Sequence, residues 1–435
     1  MSDIRSSVIQ RMEKLGTKYL ILQFTGADGH LKGVEMSKYS FAKADQIGVD
    51  GSSIGFLRTK QSDMIIVPDP TTVTLVPWQD NTACVFCDLR STDTHERIAA
   101  DPRRILAEIN KELFDGFQAT YFARPEMEFY MLTSDLKPAD NASYMVLPPM
   151  DKGYFLRKMI VEILDQLSIP FKTFHSEVGP GQHEIEFDSL PVIQAADSVQ
   201  YFKQIAKMVA LNHSEWIVSF MPKPFIDEAG NGMHIHQMVR SSTDDLFKGS
   251  ENELSEFALH FIAGQLNHAS EITAITNPIV NSYRRLVPGK EAPVYKTWGI
   301  ANRTALIRVP GYEAGRLEYR APDAATNVYF TLAFLLKAGL EGVRKKLEPP
   351  EEANFDADAL SLKQLEEKGV ELLPRSLKDA LMEFKNSSLA KEILGTALHQ
   401  EYYEARMNEW LDFTNEHSFE KQEITTWEIS QYLDC

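Results

Sequence analysis

The sequence predicts an α+β fold in two domains, residues 1–100 and 101–435. Three observations carry this expectation. Short β-branched and aromatic runs between turn residues fill the first 100 positions. From there to about residue 330, short strands rich in Glu, Arg and His alternate with helical periodicity. From about residue 376 the pattern is mostly helical, which makes a helical C-terminal tail.

Ile4, Val8, Met12 and Leu15 recur at helical spacing and stop at Gly16, so a helix opens the chain. Residues 19–24 form an apolar run, Asp28-Gly29 is a turn signal, and a second extended stretch reaches Val34. Residues 64–67, 73–76 and 83–86 read as further strands. Cys84 and Cys87 fall in the last of these. With no second cysteine pair or nearby histidine to complete a zinc site, they read as small core residues in a reducing cytoplasm. Asp101-Pro102 is an N-cap followed by proline in the first helical turn, and residues 103–113 continue that helix. Residues 156–167 and 199–211 are helical, and 389–413 is the longest helical candidate.

The chain has 435 residues, 43% hydrophobic and 25% charged, the composition of a globular protein. A formal net charge of −17 argues against a nucleic-acid partner. Met1-Ser2-Asp3-Ile4-Arg5 lacks the layout of a signal peptide, and no run approaches the ~18 apolar residues of a membrane span. A cytoplasmic protein with no membrane partner is expected.

Pro125-Glu126-Met127-Glu128-Phe129 sets two carboxylates two residues apart in an apolar run, hence on one face of a strand. Like charges so placed call for a cation between them. Glu177 and Glu184 flank a Gly179-Pro180-Gly181 turn, and a hairpin there puts them on neighbouring strands with Glu186 beyond. An exposed hairpin with solvated acids is the competing reading. His234 and His236 alternate after a glycine-rich turn, on one strand face. Arg316, Glu318 and Arg320 share another face, with Arg284, Arg285, Arg303 and Arg308 upstream. Carboxylates with few nitrogens suit Mg²⁺ or Mn²⁺ rather than zinc, and arginine forks suit phosphate and carboxylate. Together they are the equipment of phosphoryl transfer, without a P-loop or kinase signature.

These segments occur in a recognisable order. Asp50-Gly51-Ser52-Ser53, 125–129, 177–184, Phe220-Met221-Pro222-Lys223-Pro224, Gly232-Met233-His234, 281–293 and 316–323 are arranged as in glutamine synthetases. The chain resembles the prokaryotic type I enzymes, and their alpha subtype, from end to end. The resemblance implies a small N-terminal β-grasp domain and a larger catalytic α/β domain with a curved antiparallel sheet. It also implies a dodecamer of two hexameric rings. Glu128, Glu177 and Glu184 would hold a metal near the substrate glutamate; Glu126, His234 and Glu318 would hold a metal on the ATP phosphates. Arg285, Arg320 and Gly230 match the glutamate site. Arg303, Arg308 and Arg316 match phosphate contacts, and His236 lies near the nucleotide. Glu291 matches the acid of a closing flap. Asp50 of the adjacent subunit, Tyr144 and Glu177 match the ammonium site.

The implied reaction phosphorylates the γ-carboxylate of glutamate from ATP, and ammonia then displaces phosphate. Asp50, Glu291 and Arg303 are the implied catalytic residues. Three departures stand out: Ala229-Gly230-Asn231-Gly232 replaces Asn-Gly-Ser-Gly, Met238 replaces a serine, and Lys290 replaces a frequent tyrosine. They leave two alternatives, a γ-glutamylamide ligase using an organic amine and a catalytically silent structural member. Ammonia is preferred because Asp50, Tyr144 and Glu177 are all present. Arg58 matches an arginine linked to feedback inhibition by glutamine, with a solvated loop arginine as the bland reading; the tyrosine adenylylated in the beta subtype has no clear counterpart, Phe355 lying in that neighbourhood. Residues 424–433 resemble a segment inserted into the opposite ring, anchored by Trp427, Ile429, Tyr432 and Leu433, or else packed on their own subunit.

Overall fold

The computed structural model describes residues 2–52, 62–250, 253–289, 292–311, 315–421 and 423–435. The opening helix, Ser2–Leu15, buries Val8 and Met12 against the first sheet. That sheet holds β1 (Tyr19–Thr25), β2 (Leu31–Ser37), β3 (Gly48–Asp50), β4 (Asp63–Pro68), β5 (Thr74–Leu75) and β6 (Thr82–Ser91). Its order is β2-β1-β6-β4-β3, with β5 beside β6. β1 and β6 run parallel and the other pairs antiparallel. Cys84 and Cys87 are buried in β6, and burial pushes the Cys84 thiol up to about 12. Both behave as core residues rather than as ligands.

Asp101 caps the helix Pro102–Phe117 as its sequence requires, accepting from the backbone N–H of Arg103 and Arg104. Its second carboxylate oxygen accepts from Leu89 N at 3.0 Å, which ties β6 to the helix. Arg103 then bridges Asp69 of the N-terminal part and Asp197 of the helix Val192–His213, each at 3.0 Å.

The second sheet holds β7 (Ala119–Leu132), β8 (Phe171–Ser176), β9 (Gln182–Phe187), β10 (Leu190–Pro191), β11 (Ile217–Ser219), β12 (Met233–Ser241), β13 (Tyr295–Ile300), β14 (Ala305–Val309) and β15 (Leu317–Tyr319). Its order is β13-β14-β15-β12-β7-β9-β8, with β10 and β11 also on β7. Every pair is antiparallel except β13–β14. One face packs on helices, Pro102–Phe117 and Val192–His213 among them, and the deeply buried Val328–Lys345 packs against those two. Phe129, Phe187, Phe202 and Phe220 interlock there edge to face. The other face carries the charged residues.

The helix expected at 199–211 begins earlier, at Val192, because its first turns are buried almost all round and show no polar face to mark them. The long helix expected at 389–413 spans Ser388–Glu416 but breaks at Gly395, whose φ of 72° is open to glycine. The C-terminal helix Thr426–Tyr432 packs on its own chain rather than projecting outward. Trp427 meets Phe413 and Tyr432 edge to face, and Tyr432 Oη donates to Glu409 at 2.5 Å. Glu428 lies buried between the apolar anchors, bonded to Asn281 and Arg284.

Candidate active site

Sheet register assembles the charged row. In antiparallel pairs, residues directly opposite share a face at about 4.5–5.5 Å. Starting at one edge, His175 of β8 faces Glu184 of β9, which faces Glu128 of β7. Two residues along β7, Glu126 faces His234 of β12. His236 faces Glu318 of β15, which faces Arg308 of β14. Residues far apart in sequence therefore meet only because six strands pair in this order.

Two clusters result. Ligand atoms of Glu126, His236 and Glu318 lie within 4.8 Å of one another, as do those of His175, Glu177 and Glu184. In the first, Glu126 takes His236 Nε2 at 2.6 Å and His234 Nδ1 at 3.2 Å. His234 Nδ1 is also 3.7 Å from Glu318. Glu318 accepts from Arg308 at 2.6 Å and Arg320 at 2.7 Å. Burial opposes the charge on Glu318, but Arg320, His236 and His234 together outweigh it and hold the carboxyl at about 2. Glu126 is likewise buried, and its two histidines keep it well below the carboxylate range.

The second cluster behaves oppositely. Burial, then the charges of Glu128 and Glu184, push Glu177 up to about 8. Burial also raises Glu184. His175 stands between them, Nδ1 3.5 Å from Glu177 and Nε2 3.3 Å from Glu184; burial opposes its charge, but the bond and charge of Glu184, the Ser176 carbonyl and Glu177 together bring it to about 9. Tyr144 packs its ring edge against His175, centroids 5.5 Å apart. Burial and the Glu177 charge raise its phenol, and the exposed Arg303 opposes them. Sequence reasoning gave His175 no role. The observed register pairs it with Glu184, whereas counting outward from Pro180 gives Ile185, so the turn alone did not point to it. Glu186, the next acid on β9, is engaged by Arg124, Thr173 and Lys172.

Behind this row lies a pocket wall. Arg285 ends the one-turn helix Ser282–Arg285 and donates to Ala321 O at 2.6 Å and Arg320 O at 3.3 Å. A Cβ on Gly230 would sit 2.8 Å from Arg285 Cγ, and one on Gly232 would sit 2.7 Å from Arg285 Nη2. Glycine is required at Gly230, where a Cβ would also sit 2.7 Å from Pro222 O, whereas at Gly232 a Cβ would displace the guanidinium end of Arg285. Gly232 N donates to Glu128 at 2.6 Å, so the turn also aims that carboxylate. Arg316 immediately precedes β15, half-buried. Asp50 ends β3 at the edge of the other sheet, exposed, accepting from Ser52. Among the described residues it joins neither cluster. Glu291, Lys290 and Arg58 lie outside the described residues.

Family models account for nearly the whole chain. That of the glutamine synthetase catalytic domain matches residues 99–432, and that of the glutamine synthetase beta-Grasp domain matches residues 16–92. The chain belongs to the glutamine synthetase family. Its N-terminal sheet is the family's β-grasp domain, and the remainder is the larger catalytic domain. The glutamine synthetase of Pyrococcus woesei is 39% identical over 431 residues, covering 96% of each chain. That of Methanocaldococcus jannaschii is 37% identical over 453 residues, covering 98% of this chain and 97% of its own. Among solved structures, the GmaS/ADP complex superposes with a TM-score of 0.87 at 27% identity, over 98% of this chain and 99% of that one. GmaS without ligand gives 0.84 at the same identity. Among the described residues, no helix of this glutamine synthetase family member is long and apolar enough to cross a membrane.

The donors fit divalent metal. Carboxylate oxygens dominate both clusters, with imidazole as the minor partner, which suits Mg²⁺ or Mn²⁺. Glu177 is raised because acids crowd it, the condition a cation relieves. The sign of the pH effect follows. Glu177 holds in the folded state a proton that the unfolded chain releases above its ordinary 4.5. Without metal, stability therefore falls as pH rises from there to about 8. His175, raised from 6.5 to about 9, acts in the same direction over its own window. Bound metal removes the repulsion and must displace the proton at low pH. The rise in Tm on adding Mn²⁺ is therefore expected to be larger at pH 8 than at pH 6, by differential scanning fluorimetry. An equal or smaller rise at pH 8 contradicts metal binding at Glu177.

Proposed function

We propose that this chain ligates ammonia to the γ-carboxylate of L-glutamate, with ATP as phosphoryl donor, by way of γ-glutamyl phosphate. The observation that carries this reading is the single row joining an acid-rich cluster at Glu177 and Glu184 to an arginine-backed cluster at Glu126 and Glu318, with Arg285 behind it. Glu128, Glu177 and Glu184 would hold one metal; Glu126, Glu318 and His234, with His236 at hand, would hold the other. Metal held there would supply positive charge to offset that of the phosphate groups.

The chain's own groups do the rest. Arg285 and Arg320 fix the carboxylates of glutamate against the turn at Gly230. The γ-carboxylate oxygen attacks the terminal phosphorus of ATP and ADP departs. Arg303, Arg308 and Arg316 face the transferring phosphoryl group, where guanidinium forks match its oxygens. Tyr144 and Glu177 hold ammonium, and Asp50 of a neighbouring subunit takes its proton. Ammonia attacks the acyl carbon and phosphate leaves. Glu291 closes over the intermediate, since water would attack it as readily. The exposed edge position of Asp50 supports a donation across a subunit boundary in a homo-oligomer, a dodecamer by resemblance. We place the division between the two domains near residue 100.

A second reading is favoured by the likeness to GmaS, a γ-glutamylmethylamide synthetase. In it, an organic amine replaces ammonia. Against it stands the acidic lining of the Tyr144 side, which suits a small cation better than an alkyl chain. Phosphate release with glutamate and ATP, over ammonium, methylamine, ethylamine and a polyamine, separates them. Ammonium is expected to give a kcat/KM at least ~10-fold above any amine. A methylamine value above that of ammonium replaces the first reading with the second.

A further inference from the structure

Glu428 sits on the C-terminal helix, outside the charged row, and is fully buried. Its sequence setting, Thr425-x-x-Glu428, is a capping box, whose acid ordinarily returns to the N-cap N–H at a solvated helix start. One oxygen does this, accepting from Thr425 N and Thr425 Oγ1, both at 3.0 Å. The other has a different use. It accepts from Asn281 Nδ2 at 3.1 Å and Arg284 Nε at 3.3 Å.

Those two residues lead to both walls of the amino-acid pocket. Arg284 precedes Arg285 in a helix of four residues, too short for one to move without the other. Arg284 is held further by Phe419 O at 2.6 Å and Lys421 O at 2.8 Å, with its guanidinium 4.4 Å from the Phe419 ring centroid. Asn281 clasps the backbone of Lys223, accepting from its N at 2.7 Å and donating to its O at 3.0 Å. From there the chain turns back: Asn231 N donates to Pro222 O at 2.8 Å and Asn231 Nδ2 to Met221 O at 2.9 Å. Gly230 and Gly232, on either side of Asn231, are the residues packed against Arg285.

We propose that Glu428 is a positioning residue for the amino-acid substrate: one carboxylate on the C-terminal helix sets the spacing between Arg285 and the Gly230–Gly232 turn. The proposal rests on the reading of Arg285 as the arm that binds glutamate. A buried ion pair is weak evidence for stability by itself, so stability does not account for this charge. Geometry does, because small displacements of a binding group cost far more in affinity than in folding.

Glu428→Gln keeps the volume and removes the negative charge that faces Arg284. The expected result is a rise of about tenfold in KM for glutamate, with KM for ATP and kcat within about twofold. Trp427→Phe trims the packing of the same helix without touching these bonds. It is expected to lower Tm and leave KM for glutamate unchanged. Arg285→Lys is the reference and is expected to raise KM for glutamate by more than Glu428→Gln does. If Glu428→Gln is insoluble, Arg284→Lys cuts the same link and carries the same expected selectivity. Equal increases in both KM values, an unchanged KM for glutamate in Glu428→Gln, or a matching rise in Trp427→Phe overturns the proposal. An unchanged KM in Arg285→Lys overturns instead the reading on which it rests.

Discussion

Glu126→Gln lowers kcat by about 10³-fold and leaves the fold in place. Among the described residues, Glu126 is the one acid hydrogen-bonded by both histidines of β12, His236 at 2.6 Å and His234 at 3.2 Å. Together they keep it ionised despite its burial. Glutamine has the same shape and still offers one oxygen, so β7 and β12 stay paired. What disappears is the negative charge facing the cluster with His236 and Glu318. A metal that stabilises transferring phosphate contributes several kcal/mol, and each 1.36 kcal/mol is tenfold in rate, so losing about 4 kcal/mol gives this factor. Phosphate release measures it, and a thermal melt without metal shows whether the fold survives. Glu186→Gln is the informative companion. Glu186 lies directly opposite Glu126 across β7 and β9, yet Arg124 and Thr173 already occupy it. It is expected to cost stability while metal still raises Tm as in the parent. If Glu126→Gln retains kcat within tenfold, Glu126 holds no metal.

The contrast between Glu126 and Glu186 marks how far a sequence can be read. Local rules placed the pair Glu126 and Glu128 on one strand face, the Asp101 cap, and the hairpin with Glu177 and Glu184, because each depends on a few consecutive residues. Which acid is neutralised by an arginine depends on pairing across the sheet. Arg124 and Glu186 are 62 positions apart, and nothing in either segment names the other. The same holds for His236 and Glu318, which meet only because β15 joins β12. The order of motifs supplied by family resemblance stood in for that missing register. It could not supply Glu428, whose capping-box context reads as an ordinary helix start until its second oxygen is traced to Asn281 and Arg284.

Glu318→Ala has the largest expected effect on stability, because the side chain neutralises two arginines in a dry setting. Glu318 is 1% exposed and Arg320 is 3% exposed. Arg308 donates from the adjacent strand at 2.6 Å and Arg320 from two residues along at 2.7 Å. Alanine deletes the acceptor of both and leaves Arg320 buried near the like charge of Arg285, whose own ionisation is disfavoured first by burial and also by Arg320. Removing one partner of a buried pair costs about 3–5 kcal/mol, since the surviving charge keeps its desolvation penalty. Urea unfolding in EDTA isolates this loss from any loss of metal. The pH dependence gives an independent check. The folded-state carboxyl is held at about 2, below its ordinary 4.5, so its contribution is complete above 4.5 and fades as pH falls through 2. The difference in stability between parent and variant should therefore be constant from pH 5 to 8 and narrow below pH 4. A loss under about 1 kcal/mol, or a difference that grows on acidification, means that Arg308 and Arg320 find other acceptors and that the arginine-backed cluster is not built around Glu318.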